Sequence, residues 1–167
     1  MFKKQIFNFS LLALLLSMGA QAQPEEYTEI TTSHQRFGDW IVRCEREKGK
    51  DKECVMTQQI TSQSTGMSVL QANFAKTEQG TQMTLIFPLG IFLPPGVELE
   101  VVDHIKANYS VSFCSASGCY VNQILDNEML EFLRRKEQAN ITVYSSPDNP
   151  VTVPFSIKGF LDAHRKL

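Results

Sequence analysis

The chain has 167 residues, 16 Lys and Arg against 18 Asp and Glu, and a formal net charge of −2. A balance this close to neutral excludes a nucleic-acid binder that works through a bulk basic surface. Eleven Phe and four Tyr supply material for a core and exclude a disordered chain, and the length fits one domain.

The first element in chain order is a leader. Lys3 and Lys4 precede an apolar run over 9–18, and Ala20-Gln21-Ala22 forms a small-x-small site just before Pro24. This order predicts a secretory signal peptide over 1–22, too short to anchor stably across a bilayer. No Cys follows the expected cut, which argues against a lipid anchor. The longest later apolar run, 85–93, is interrupted by Pro88 and Gly90. The mature chain is therefore expected to carry no transmembrane segment. Residues 23–36 are polar and are expected to form a flexible mature N-terminus, followed by a folded domain over 37–167.

Trp40, Ile41 and Val42 lead into Cys44 as a strand, and 54–60 returns as its partner. Between them lies a charged tip, 45–53, where near-cancelling basic and acidic residues predict a solvated hairpin end and no phosphate site. Further strands are expected at 68–75, 81–87, 97–101, 109–114, 141–144 and 151–155. Val97, Leu99 and Val101 share one face by period-two alternation, as do Tyr109, Val111 and Phe113. Gly80, Pro94-Pro95-Gly96, Ser117-Gly118 and the 147–150 segment supply turn signals. A helix capped by Asp126 or Asn127 is expected to run to about Gln138 with Met129, Leu130 and Leu133 on its apolar stripe, and a short one over 160–165. Many short strands with few helices predict an all-β chain, an antiparallel β-sandwich with one or two short helices.

Four Cys in an exported chain read as disulfide-bonded. Local pairing, Cys44 with Cys54 and Cys114 with Cys119, is preferred because each pair brackets a polar, turn-like stretch. Sequence alone leaves a long bridge between the two regions open. A zinc site built from the same four residues fits their spacing poorly. The Cys114-x4-Cys119 spacing also departs from the C-x-x-C of thiol oxidoreductases, so a hairpin staple is the better reading.

Catalytic motifs are absent: no G-x-S-x-G elbow, H-E-x-x-H, phosphate-binding loop or G-x-G-x-x-G is present. His34, His104 and His164 stand far apart in the sequence. Asp103 and His104 could enter a Ser-His-Asp site, but nothing selects a serine for them. The segment 87–96 has two readings. It is either a buried crossing between sheets, the weightier reading, or a surface that presents Ile91, Phe92 and Leu93. Trp40 reads as a core anchor. Lys48 and Lys50 on the charged tip, together with Ile91, Phe92 and Leu93, form the candidate interaction surface.

Several of these stretches together resemble a known family. They are Gly38-Asp39-Trp40 leading to Cys44, C-V-M-T-Q-Q at 54–59, and F-P-L-G at 87–90 with L-P-P-G-V at 93–97 and Asp103. Cys114-x4-Cys119 with Gly118, and S-I-K-G-F at 156–160 with Ala163, complete the set. In this order, over about 37–163, they resemble invasion-associated locus B proteins. Tyr120 and Ile157 depart from that pattern, where a small or aliphatic residue and Leu are usual, and this touches only local packing. The resemblance implies an exported bacterial protein, periplasmic, associated with the outer membrane or secreted. The family is named for members implicated in host-cell invasion and virulence, and the resemblance implies no catalytic residues and no cofactor. The expected function is an envelope accessory protein that binds an unidentified protein or envelope component, and not an enzyme. The alternatives are an envelope hydrolase or thiol oxidoreductase, or a small-ligand carrier with its pocket between the sheets. Oligomeric state is left open.

Overall fold

A computed structural model describes residues 30–136 and 138–167. The leader over 1–22 and residues 23–29 lie outside the described residues. The larger sheet contains β1 (Ile30–Phe37), β2 (Trp40–Glu47), β3 (Glu53–Thr61), β4 (Ser68–Thr77), β5 (Gly80–Phe87), β8 (Phe113–Ser115) and β9 (Gly118–Ile124). Its strand order is β1-β2-β3-β4-β5-β9-β8. The smaller sheet contains β6 (Val97–Val101), β7 (Ile105–Tyr109), β10 (Gln138–Ser146) and β11 (Asn149–Ser156), ordered β11-β10-β6-β7. Every described pair is antiparallel. The helices are α1 (Asn127–Arg135) and α2 (Phe160–His164). The all-β class is therefore confirmed: two antiparallel sheets with two short helices.

Period-two alternation makes the sandwich. On β4, Leu70, Ala72 and Phe74 are fully buried while Gln71 and Asn73 face outward. On β5 the inward set is Met83, Leu85 and Phe87, and on β6 it is Val97, Leu99 and Val101. Such residues line one face because successive strand side chains point to opposite sides. Both sheets turn these faces toward a common core. Its centre is aromatic: the Trp40 ring meets Phe74, Phe155 and Phe160 edge-on at 5.5, 5.6 and 5.3 Å, the geometry that ring quadrupoles favour.

Asp126 caps α1, its Oδ1 accepting the Met129 N–H at 2.7 Å. Glu128 in the first turn and Arg134 and Arg135 in the last suit the helix dipole. Met129, Leu130 and Leu133 are buried. The helix stops at Arg135, short of the expected Gln138. Gln138 instead opens β10, where its carbonyl accepts the Val102 N–H and Ala139 pairs with Val101. Strand pairing satisfies these backbone groups as a further helical turn would not.

Three other expectations are corrected. Residues 30–36, expected to be flexible, form β1, in register with β2 from Ile30 opposite Glu47 to Phe37 opposite Trp40. Backbone pairing holds this strand while almost all its side chains stay exposed, so hydrophobic alternation could not announce it. The expected 109–114 strand is two strands in different sheets. Tyr109 ends β7 buried, the chain crosses over, and Phe113 begins β8 exposed. The strand β9, packed between β5 and β8, lay behind the Ser117-Gly118 turn signal and Asn122, although its Cys119 and Val121 are buried.

One junction locks the β1–β2 turn to the segment that follows β11. Gly38, in the β1–β2 turn, sits against the Lys158 carbonyl, and Gly159 sits against the Phe37 carbonyl. Both have positive φ, +54° and +85°, and a Cβ on either would strike backbone. Glycine is the residue that allows this approach. Nearby, Gln58 joins the sheets: its amide donates to the Ser156 carbonyl at 2.8 Å and accepts the Ser156 N–H at 3.2 Å.

Candidate functional site

The two halves of the expected interaction surface are not together. Lys48 and Lys50 lie on the exposed β2–β3 tip, where Lys50 pairs with Glu47. Arg43 pairs with Glu45 on the same ribbon. Register places this tip at one end of the larger sheet and the 88–96 crossing at the other, because Glu45 opposes Glu53 whereas Phe87 opposes Cys119. Within the crossing, Ile91 packs against the core and the Phe92 N–H bonds the Tyr144 carbonyl at 2.6 Å. Leu93 is exposed, and so is Leu89, which had not been singled out. The segment is thus a buried crossing over part of its length and an apolar surface over the rest.

The four cysteines form two bridges, Cys44–Cys54 across β2 and β3 and Cys114–Cys119 across β8 and β9. Each joins directly opposed residues of neighbouring strands. No cysteine is free, so a zinc site built from these four would require both bridges to be reduced first. Asp103 and His104 occupy the β6–β7 turn, where Asp103 takes φ +63° and the imidazole stacks on Phe132 at 5.2 Å. Among the described residues no serine hydrogen-bonds to His104.

The buried polar residues serve structure. His164, 3% exposed, places Nε2 at 2.9 Å from Thr81 Oγ1 and Nδ1 at 3.3 Å from an Arg134 guanidinium nitrogen. A guanidinium can only donate, so Nδ1 accepts and Nε2 carries the proton, donating it to Thr81. That polarity is the reverse of what a general base on Thr81 needs. Burial first, then the charges of Arg134 and Lys76, lower the imidazole pKa to about 4. His164 is therefore neutral at ordinary pH and ties α2 to β5 and α1. Glu131, bonded by Arg134 and Arg135, is held below the usual carboxylate range chiefly by its Arg134 hydrogen bond. Sequence reading missed this cluster because Thr81, Arg134 and His164 are distant in the chain and match no motif.

A cleft of about 1030 Å³ opens outside the sandwich, beside the C-terminal end of α1 and the turn over 157–159. Arg134, Arg135, Lys136 and Lys158 line it, with Phe155 and Leu161 among the apolar walls. Two of those cations are already engaged by Glu131. The space between the sheets, where a small-ligand carrier would need its pocket, is filled by Trp40, Phe74, Phe155 and Phe160. Among the described residues no His, Cys, Asp and Glu cluster suits a metal ion.

Comparison with known proteins adds what geometry alone does not. The family model for invasion associated locus B (IalB) proteins matches residues 40–167. The chain belongs to the IalB family. An invasion protein B homologue of Brucella abortus (strain 2308) is 31% identical over 156 residues, covering 92% of this chain and 87% of the relative. A homologue from Brucella abortus biovar 1 (strain 9-941) matches to the same extent. The crystal structure of invasion associated protein b from Bartonella henselae superposes with a TM-score of 0.71 at 22% identity, covering 80% of this chain and 93% of that one. That likeness establishes the shared fold. IalB membership and two disulfides together point to an exported protein, and the relatives are named as invasion proteins, not as enzymes. Among the described residues no helix is long and apolar enough to cross a membrane.

Proposed function

We propose that this chain is an exported accessory protein of the bacterial cell envelope that acts by binding, contributes to interaction with host cells, and performs no catalysis. The observation that carries the reading is family membership over the whole folded domain, with relatives named as invasion proteins. The engagement of Thr81, His164 and Gln58 in bonds within the fold supports it. Loops on a rigid sandwich can bind a partner without any reactive constellation.

Export is taken to follow removal of residues 1–22, leaving the protein in the periplasm, at the outer membrane or secreted. Fractionation of the native envelope with N-terminal sequencing tests this, and the expected mature protein starts at Gln23. For the function, a deletion strain is compared with its complemented strain for attachment to and entry into host cells. The expected result is reduced entry at unchanged growth, restored by complementation. Equal entry by both strains overturns the host-interaction reading.

A further inference from the structure

In a chain that is 20% charged, residues 54–75, 79–97 and 107–125 contain no Asp, Glu, Lys or Arg. The topology gathers turns from all three stretches at one end of the larger sheet. The β3–β4 turn over 62–67, the 88–96 crossing and the β8–β9 hairpin lie there together, because β3, β4, β5, β9 and β8 are successive neighbours. The bond from the Phe92 N–H to the Tyr144 carbonyl brings the end of the β10–β11 hairpin to the same crossing.

This end carries most of the large exposed apolar side chains among the described residues. Met67 is 66% exposed, Leu89 58%, Phe113 52%, Leu93 44% and Val151 42%. The charges crowd elsewhere, on the β2–β3 tip at the opposite end and on α1. Arg36 and Asp39 near the β1–β2 turn, bordering Ile60 and Thr61, and Asp148 in the β10–β11 turn are the nearest charges, and Glu98 and Lys106 beyond the crossing pair with each other at 3.0 Å.

We propose that this end docks on an electrically neutral lipid surface, with Met67, Leu89, Leu93 and Phe113 entering the interfacial region of the bilayer. Three features favour lipid over a protein partner. The apolar side chains come from separate segments, Met67 from the β3–β4 turn, Leu89 and Leu93 from the crossing and Phe113 from β8, which suits a deformable medium. Charge is missing from the turns themselves, as the cost of placing ions among acyl chains requires. The turns also satisfy backbone groups internally: Ser62 N–H bonds the Met67 carbonyl, Gly66 N–H the Ser62 carbonyl, and Gly96 N–H the Leu93 carbonyl, at 2.8, 2.8 and 2.9 Å. The turns that carry the apolar side chains hold no cation, and the nearest one, Arg36, stands beside Asp39, so attraction to anionic headgroups has little part in the docking. The inference stands independently of a role in host-cell entry.

The test is flotation of the disulfide-bonded mature chain with phosphatidylcholine vesicles at low and high salt. Binding is expected to be unaffected by salt and to fall at least about tenfold in the Leu89→Ser/Leu93→Ser double variant, from the apolar area withdrawn from lipid. Circular dichroism checks that this exposed pair leaves the fold intact. A Leu89→Trp variant gives a second readout. Trp40 is the single tryptophan and is fully buried, so a new vesicle-dependent blue shift reports position 89 entering lipid. Absence of both flotation and blue shift overturns the proposal. So does binding confined to anionic vesicles and abolished by salt. Concentration-dependent self-association that the double variant loses, without vesicle binding, assigns the patch to a second copy and also overturns it.

Discussion

His164 holds its neutral form because it lies inside the protein against an arginine, with Nδ1 accepting from Arg134 and Nε2–H donating to Thr81. An unfolded histidine titrates near pH 6.5, whereas this one titrates at about 4. The unfolded chain therefore binds the extra proton first as pH falls. The stability contributed by the neutral imidazole is fully present above about pH 6.5. It is lost progressively between 6.5 and 4, and then levels off. The loss by pH 4.5 is about 2–3 kcal/mol. Urea unfolding of wild type and His164→Gln at pH 7.5 and 4.5 checks this. The wild type should lose that much more than the variant on acidification, and parallel losses would contradict the assignment. No pattern around position 164 announced this role, because the partners come from β5 and α1 and meet only after folding.

At the level of elements, the hairpins were the most legible parts. Polar turns flanked by cysteines and alternating residues led directly to β2–β3 with its Cys44–Cys54 bridge and to the Cys114–Cys119 bridge. Local information sufficed there because both strands and the turn lie within a short stretch of chain. Removing the first bridge with Cys44→Ser/Cys54→Ser is expected to cost about 2–3 kcal/mol through the freedom returned to the unfolded chain. The shorter Cys114–Cys119 loop should contribute slightly less. Thermal unfolding of each double variant, with and without reductant, measures both, and reductant should lower the wild-type midpoint toward the variants. The elements that went unread share a cause. In β1 an exposed strand depends on its neighbour's backbone. At 109–114 an unbroken alternation conceals a change of sheet. Past Arg135 the pairing of Gln138 and Ala139 with β6 ends a helix that composition alone would extend.

Across the whole molecule, aromatic side chains from distant parts of the sequence hold the sheets and α2 together. Trp40 from β2, Phe74 from β4, Phe155 from β11 and Phe160 from α2 meet in one cluster. Phe155→Ala removes the contribution of the smaller sheet to it and is expected to cost about 3–5 kcal/mol. Urea titration followed by Trp40 fluorescence measures that loss, and native emission should shift to the red as solvent approaches the indole. A change well under 1 kcal/mol would mean that the cluster is not what joins the sheets.

The all-β class, the hairpin staples and the family were readable from the sequence by itself. Each depends on local order: period-two alternation, cysteines flanking a turn, or short motifs in a fixed succession. Tertiary structure alone decided the rest. It separated Lys48 and Lys50 from Leu93 by the length of a sheet, and it buried His164 against Thr81 and Arg134. It also gathered three uncharged stretches into one apolar end. Those outcomes are set by strand order and register, which bring together residues far apart in the chain, and no local pattern encodes which distant neighbours will meet.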